Sequence, residues 1–199
     1  KKKNKKYILT IFEKRVKKKD LPFFMELMDK LNDFNIHCPK PLKNKNGKYL
    51  TTLKNKPACI VTFVKGKDKN NLNIKDCYEV GKNVAKLHIA SGKIKLFRKN
   101  SLSVDNLNPL LKSIKFKSKN IVPKLRSILK KNLNEIKKEW PNKLPKGIIH
   151  GDLFIDNIFF SKKKFFGFID FYFSCNDFLM YEIAICINAL CFDKKNKKF

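Results

Sequence analysis

Two carboxylates and one amide, spaced in a way that could do chemistry, stand close together near the end of the chain. Asp152 and Asn157 lie five positions apart on a predicted loop, after the short apolar run that ends at Ile149. A second apolar run, residues 165–169, leads directly to Asp170. Magnesium prefers oxygen ligands such as these, and a free carboxylate can accept the proton of a reacting hydroxyl. The pattern therefore predicts magnesium-dependent transfer of a phosphoryl group.

The His-Gly-Asp sequence makes this prediction more specific. His150-Gly151-Asp152 with Asn157 keeps the spacing of the protein-kinase catalytic loop, and Asp170 stands where that class has the Asp of its Asp-Phe-Gly motif. The alternative is a polar turn between two buried strands, with carboxylates that face solvent. An Asp and an Asn at this spacing would by themselves favour the turn. The histidine, the second strand and the second carboxylate together favour phosphoryl transfer.

Regular elements on both sides must position these groups. Before residue 65 the apolar spacing predicts strand, helix and two strands in that order. Asp20 is the predicted cap of the helix, and Phe34 is predicted to lie on its buried face. The predicted strands cover residues 7–12, 49–53 and 58–64, with a turn at 55–57 between the last two.

After residue 66 the chain is predicted to be mainly helical. Helices are expected near residues 77–87, 121–140 and 178–190, with loops and one short helix between 92 and 120. Two strands around residues 161–164 form a predicted hairpin. The chain therefore divides into a small lobe, residues 1–65, and a large lobe, residues 66–199.

The chain resembles the homoserine kinases of the aminoglycoside and choline phosphotransferase superfamily, in stretches that cover it from end to end. Residues 150–160 and Ile169-Asp-Phe171 are typical of the superfamily, while Phe12-Glu-Lys-Arg-Val16 and residues 171–177 indicate homoserine kinase. The resemblance implies an α+β, two-lobed, protein-kinase-like (aminoglycoside phosphotransferase-like) fold. The fold is expected to be incomplete, without the glycine-rich loop that should precede the first strand and without further helices at the carboxyl end. The implied reaction transfers the γ-phosphate of ATP to the hydroxyl of L-homoserine in threonine biosynthesis.

The same resemblance assigns the central residues. Asp152 is the catalytic carboxylate that aims the acceptor hydroxyl at the γ-phosphate, and Asn157 and Asp170 hold Mg2+. ATP is expected to contact Phe63 and Val64, where the last small-lobe strand runs into a hinge.

Two further residues, Glu26 and Asp177, each have two possible roles. Glu26 stands where kinases pair a Glu with a phosphate-binding Lys, but the chain has Thr10 where that Lys is expected, with Lys14 as the nearest substitute. The alternative for Glu26 is an exposed helix residue. Asp177 is a candidate for binding the ammonium of homoserine, and its alternative is a buried structural role.

The composition bears on other classes of function. A net charge of +29 would suggest nucleic acid, but only three of the 46 basic residues are arginines and the lysines are scattered along the chain. No apolar stretch approaches the roughly 18 residues that span a bilayer. The six cysteines contain no Cys-x-x-Cys pair and lie mostly among apolar neighbours. We therefore expect a cytoplasmic protein with no membrane and no specific nucleic-acid partner.

Three alternatives to homoserine kinase stay open. The first is another small-molecule kinase of the superfamily, acting on choline, an aminoglycoside or methylthioribose; an aromatic cage would indicate choline. The second is a basic nucleic-acid-binding protein, which salt-sensitive polyanion binding without ATP hydrolysis would indicate. The third is an inactive gene fragment.

Overall fold

A three-stranded antiparallel sheet forms the first part of the computed structural model, which describes residues 5–13, 16–113 and 124–191. Its strands are β1 (Tyr7–Ile11), β2 (Leu50–Leu53) and β3 (Lys56–Thr62), in the order β1-β3-β2. The turn between β2 and β3 consists of Lys54 and Asn55, both with positive φ. The predicted turn at 55–57 is therefore wrong, because two left-handed residues close the hairpin and leave Pro57 inside β3.

Buried residues of helix α1 (Leu21–Asp33) share one cluster with those of β3. The predicted apolar spacing is confirmed for Leu21, Phe24 and Leu31, which are buried with their neighbours. Phe34 is 40% exposed, so the buried face ends at Leu31 and not at Phe34 as predicted. Asp20 precedes the helix but makes no side-chain capping bond, so the predicted cap is wrong.

In the part of the chain that the structure describes, four α-helices follow the sheet. They are α2 (Ile74–Ser91), α3 (Val104–Ser113), α4 (Leu125–Glu139) and α5 (Leu179–Cys186), the last continued by a π-helical turn at Ile187–Cys191. A reciprocal capping box of Asn73 and Asp76 starts α2. The predicted start of α4 at residue 121 lies outside the described residues. Within the part of the chain that the structure describes, no helix is long and apolar enough to cross a membrane.

Two pairs of short antiparallel strands support the carboxylates. They are β4 (Lys146–Ile149) with β7 (Cys175–Phe178), and β5 (Ile158–Ser161) with β6 (Lys164–Phe168). The second pair is the predicted hairpin, turned by Lys162 and Lys163 at positive φ. Strand β7 was not predicted. It ends at Phe178, where the last helix was predicted to begin, and α5 therefore begins at Leu179.

One continuous core joins the two predicted lobes. Buried residues of α1 and β3 pack in the same cluster as those of α2, β4, β5 and β6. Where the lobes should meet, Gly66 has φ +108, and Lys67 pairs with Phe160 of β5 through two backbone hydrogen bonds of 2.8 and 3.1 Å. A Cβ at residue 66 would lie 2.5 Å from the Phe160 carbonyl oxygen, so this close crossing requires glycine. The division between residues 65 and 66 stays a prediction.

Candidate active site

A buried histidine anchors the loop that carries Asp152. His150 follows β4 directly and has no exposed surface; its Nε2 lies 2.8 Å from the Ile169 carbonyl oxygen. Its ring packs on Phe171 with centroids 4.4 Å apart. Burial lowers the pKa of His150, so the imidazole is neutral at pH 7. The buried ring therefore connects the loop to the residue that follows β6.

A tight turn follows at Gly151. Its φ is +79, and a Cβ there would lie 3.0 Å from the Phe173 carbonyl oxygen. The Gly151 N–H donates to Oε1 of Glu182, a fully buried residue of α5, at 2.8 Å. The other oxygen of Glu182 lies 2.9 Å from Nε2 of His88 on α2. Two helices thus hold the backbone of the turn through one carboxylate.

Asp152 and Asn157 face each other across this loop. Nδ2 of Asn157 donates to the Asp152 backbone oxygen at 2.8 Å and to its Oδ2 at 3.1 Å. Burial raises the pKa of Asp152, and the negative charge of Asp170 acts in the same direction. The carboxylate is therefore more basic than an ordinary Asp, as suits a proton acceptor.

Asp170 stands at the end of β6, next to Asn157. The Ile169 N–H donates to the Asn157 carbonyl oxygen at 3.0 Å, which holds the two strand ends together. Asp170 is exposed and has φ +61, a left-handed conformation that costs a non-glycine residue about 1–3 kcal/mol. Strain of this kind is often found where a side chain must be aimed at a ligand.

These residues fit a magnesium ion that is completed by other oxygens. Both side-chain bonds of Asn157 use its Nδ2, which leaves Oδ1 able to take a cation. Among the described residues, no group of three or more His, Cys, Asp or Glu could hold a metal by itself. Magnesium is usually bound by one or two carboxylates together with water and substrate phosphates, so this sparse set is chemically suitable.

The other predicted site residues lie elsewhere. Glu26 is half exposed, 3.6 Å from Lys30, and lines a separate cavity with Asp29 and Tyr49, so the structure does not bring it to Asp170. Phe63 lines a cavity of about 500 Å3 with Tyr7, and Val64 follows it half-buried. Their role at a nucleotide stays a prediction.

Both carboxylate oxygens of Asp177 have protein partners. Oδ2 accepts from Asn100 Nδ2 at 2.6 Å and Oδ1 accepts from the Phe178 N–H at 2.7 Å. Asp177 lines a different cavity from Asp170. These contacts favour the structural alternative over binding of an ammonium.

The position where the phosphate-binding lysine of kinases is expected holds Thr10 in this chain. Thr10 in the middle of β1 pairs with Cys59 of β3, and both lie within hydrogen-bonding reach of the Tyr172 hydroxyl. Burial raises the pKa of Cys59 to about 11, so this is a neutral, partly apolar contact between the small sheet and the turn after Asp170. Lys14, the predicted substitute, lies outside the described residues.

Sequence reasoning missed one ion pair beside Asp170. Arg98 and Asp20 are joined by a 2.9 Å hydrogen bond and line a cavity with Asp170. They are 78 residues apart in the chain, so no local spacing could have indicated the pair.

The whole chain is also similar in sequence to known proteins. Residues 1–196 match the family described as "Phosphotransferase enzyme family". Curated homoserine kinases from Parvibaculum lavamentivorans and Rhodospirillum rubrum are 45% and 44% identical to the chain over 187 residues. The match covers 94% of the chain but only 58% of each relative, so the chain spans less than two thirds of their length.

Solved structures show the same fold. The amicoumacin kinase hAmiN, solved with AMP-PNP, Ca2+ and Ami, has a TM-score of 0.73 at 15% identity over 92% of this chain and 57% of that one. The choline kinase LicA from Streptococcus pneumoniae has a TM-score of 0.64 at 16% identity over 99% of this chain and 66% of that one. At such identities the likeness concerns the fold alone. The predicted α+β, kinase-like fold class is confirmed.

Proposed function

Because the chain belongs to the phosphotransferase enzyme family, we propose that it transfers the γ-phosphate of ATP to the hydroxyl of L-homoserine. The observation that carries the proposal is the group formed by Asp152, Asn157 and Asp170. Relatives 43–45% identical that are named homoserine kinase support this acceptor. The product is O-phospho-L-homoserine, a step toward threonine, and the six unpaired cysteines fit a cytoplasmic enzyme.

Asp152 acts on the acceptor. Its raised pKa and its position beside Asn157 suit it to accept a hydrogen bond from the hydroxyl and to hold that oxygen in line with the γ-phosphorus. The new O–P bond forms as the bond between the γ-phosphorus and the leaving ADP oxygen breaks. ADP keeps that electron pair, and the hydroxyl proton passes to the Asp152 carboxylate.

Asn157 and Asp170 act on the phosphates through a metal. We assign Asn157 Oδ1 and the Asp170 carboxylate as magnesium ligands. The ion, when bound, neutralises charge on the transferring phosphoryl group. The hinge residues Phe63 and Val64 are proposed to contact the nucleotide.

The proposal is tested with the longest reading frame that contains the 199 residues. ADP release is followed with magnesium and ATP against homoserine, serine, choline and an aminoglycoside, and phosphorus NMR identifies the product. Homoserine should be the best acceptor. Serine is shorter by one methylene and should be about 10–200-fold worse in kcat/KM.

Two outcomes would contradict the proposal in different ways. Choline or the aminoglycoside turning over faster than homoserine would overturn the acceptor but keep the kinase chemistry. No ATP turnover with any acceptor, together with salt-sensitive binding to DNA or RNA, would favour the nucleic-acid-binding alternative.

A further inference from the structure

A small cavity lies beside Asp170, between the segment that precedes α1 and the turn that follows β6. Its volume is about 190 Å3, below the roughly 300–1,000 Å3 typical of sites for drug-sized ligands. Lys17, Asp20, Arg98 and Asp170 supply its charged groups. A wider groove of about 750 Å3 shares the first three of these residues, but its lining does not include Asp170. The Asp20–Arg98 pair therefore stands where the small cavity meets the outer groove.

Arg98 is held firmly in this position. Its backbone N–H donates to Asn176 Oδ1 and its carbonyl accepts the Asn176 N–H, both at 2.8 Å, so β7 fixes the segment. The guanidinium carbon lies 4.9 Å from the centroid of the Phe24 ring. Only 15% of the Arg98 side chain and 17% of the Asp20 side chain are exposed. The pair is thus part of the fold and not a loose surface contact.

The guanidinium still has unused donors. Its Nε donates to Asp20 Oδ2 at 2.9 Å, and its Nη1 donates to the carbonyl oxygens of Ser174 at 2.9 Å and Phe173 at 3.4 Å. These bonds use three of the five N–H groups. Within the described residues Nη2 makes no hydrogen bond, and no buried side-chain nitrogen or oxygen lacks a partner. Among these residues neither Arg98 Nη2 nor Asp20 Oδ1 has a hydrogen-bond partner, so both atoms are available to a ligand.

We propose that Arg98 and Asp20 bind the charged end of an α-amino-acid acceptor. Arg98 Nη2 donates to the α-carboxylate and Asp20 Oδ1 accepts from the α-ammonium, while the hydroxyl end lies toward Asp152 and Asp170. A guanidinium that its neighbours already orient loses little freedom on binding, and its planar fork matches a carboxylate. The paired charges also match a ligand that is itself a zwitterion. The inference rests on the proposed kinase function and adds the residues that select its acceptor.

The test uses acceptors that each lack one charge. Aminopropanol is homoserine without its carboxylate, and γ-hydroxybutyrate is homoserine without its ammonium. The variants Arg98→Gln and Asp20→Asn are assayed with all three acceptors and with varied ATP. Asp33→Asn, which removes an exposed carboxylate at the far end of α1, is the matched control.

Each substitution should lower kcat/KM only for the acceptors that carry the charge which the replaced residue binds. Arg98→Gln should lower kcat/KM for homoserine roughly 10–150-fold, the range for a charge-assisted hydrogen bond, and leave aminopropanol nearly unchanged. Asp20→Asn should do the same for homoserine and leave γ-hydroxybutyrate nearly unchanged. Asp33→Asn should match the wild type with every acceptor.

Other results would overturn the inference. Equal losses with all three acceptors would mean that the pair only supports the fold. A raised KM for ATP with an unchanged acceptor pattern would place Arg98 at the nucleotide phosphates. If the wild type phosphorylates choline and not homoserine, the proposed function fails first, and the acceptor comparison identifies which of the two ideas is at fault.

Discussion

Replacing Gly151 by alanine tests whether the turn before Asp152 depends on glycine. A non-glycine residue at φ +79 costs about 1–3 kcal/mol, and the added Cβ would lie 3.0 Å from a backbone oxygen that must shift by a few tenths of an ångström. Gly81 offers the matched control, because it lies in α2, is exposed and has nothing within 4 Å of an added Cβ. Gly81→Ala should stabilise the protein by about 0.5–1 kcal/mol. The free energies of unfolding of the two variants should therefore differ by about 1.5–4 kcal/mol.

Urea unfolding measures this difference, provided that the two variants have the same m value, the slope of the unfolding free energy against urea concentration. The initial rate with homoserine measures the consequence for Asp152. A displacement of about 1 Å can cost roughly 100-fold in rate, so a smaller shift should lower turnover of Gly151→Ala about 10-fold. Equal unfolding midpoints for the two variants, with full turnover retained at position 151, would refute the argument that the turn is sterically required.

Three further predictions concern Asp152 and two carboxylates near its loop, Asp170 and Glu182. Asp152→Asn should lower turnover by about two to four orders of magnitude with ATP affinity intact. Burial raises the pKa of Asp152, so the folded protein holds that proton more tightly than the unfolded chain does. The free energy of unfolding therefore falls as pH rises from the unfolded-state pKa to the folded-state pKa of Asp152. The variant should thus be at least as stable as the wild type in urea at pH 7, and the difference should vanish below about pH 3.9; a less stable variant at pH 7 would contradict this. Asp170→Gly should relieve about 1 kcal/mol of backbone strain and yet raise the magnesium concentration for half-maximal rate, whereas an unchanged magnesium dependence would remove Asp170 from the metal site. Glu182→Ala leaves the Gly151 N–H unpaired and should cost at least about 1–3 kcal/mol by urea unfolding with a lower turnover, while Glu182→Gln, which keeps an acceptor oxygen, should lose less; equal losses would argue against the hydrogen bond.

The sequence predicts best what short segments determine. His150, Asp152, Asn157 and Asp170 lie within one strand-loop-hairpin unit, so their spacing alone brings them together. Helix α1 was predictable because its apolar residues recur at helical spacing. Strand β7 was missed because two of its four residues are polar and its pairing with β4 is made by backbone groups.

The contacts between distant segments could not be predicted. Arg98 reaches Asp20 only because β7 holds the Arg98 segment through Asn176. Asp20 has the residue type and position of a helix cap, and only the tertiary structure offers its carboxylate a charged partner. Asp177 illustrates the reverse case, in which a carboxylate close in sequence to Asp170 is already occupied by Asn100.

The continuous core has a consequence for how the molecule unfolds. Phe24 of α1 and Val61 of β3 share one buried cluster with Ile148 and Phe168 near the carboxylates, and the Phe168 N–H also donates to the His37 carbonyl at 3.0 Å. The sheet at the amino-terminal end cannot separate from the hairpin that carries Asp170 without exposing this cluster to water. Residues on either side of Gly66 should therefore lose their structure in one cooperative transition, with the same midpoint by circular dichroism and by Trp140 fluorescence.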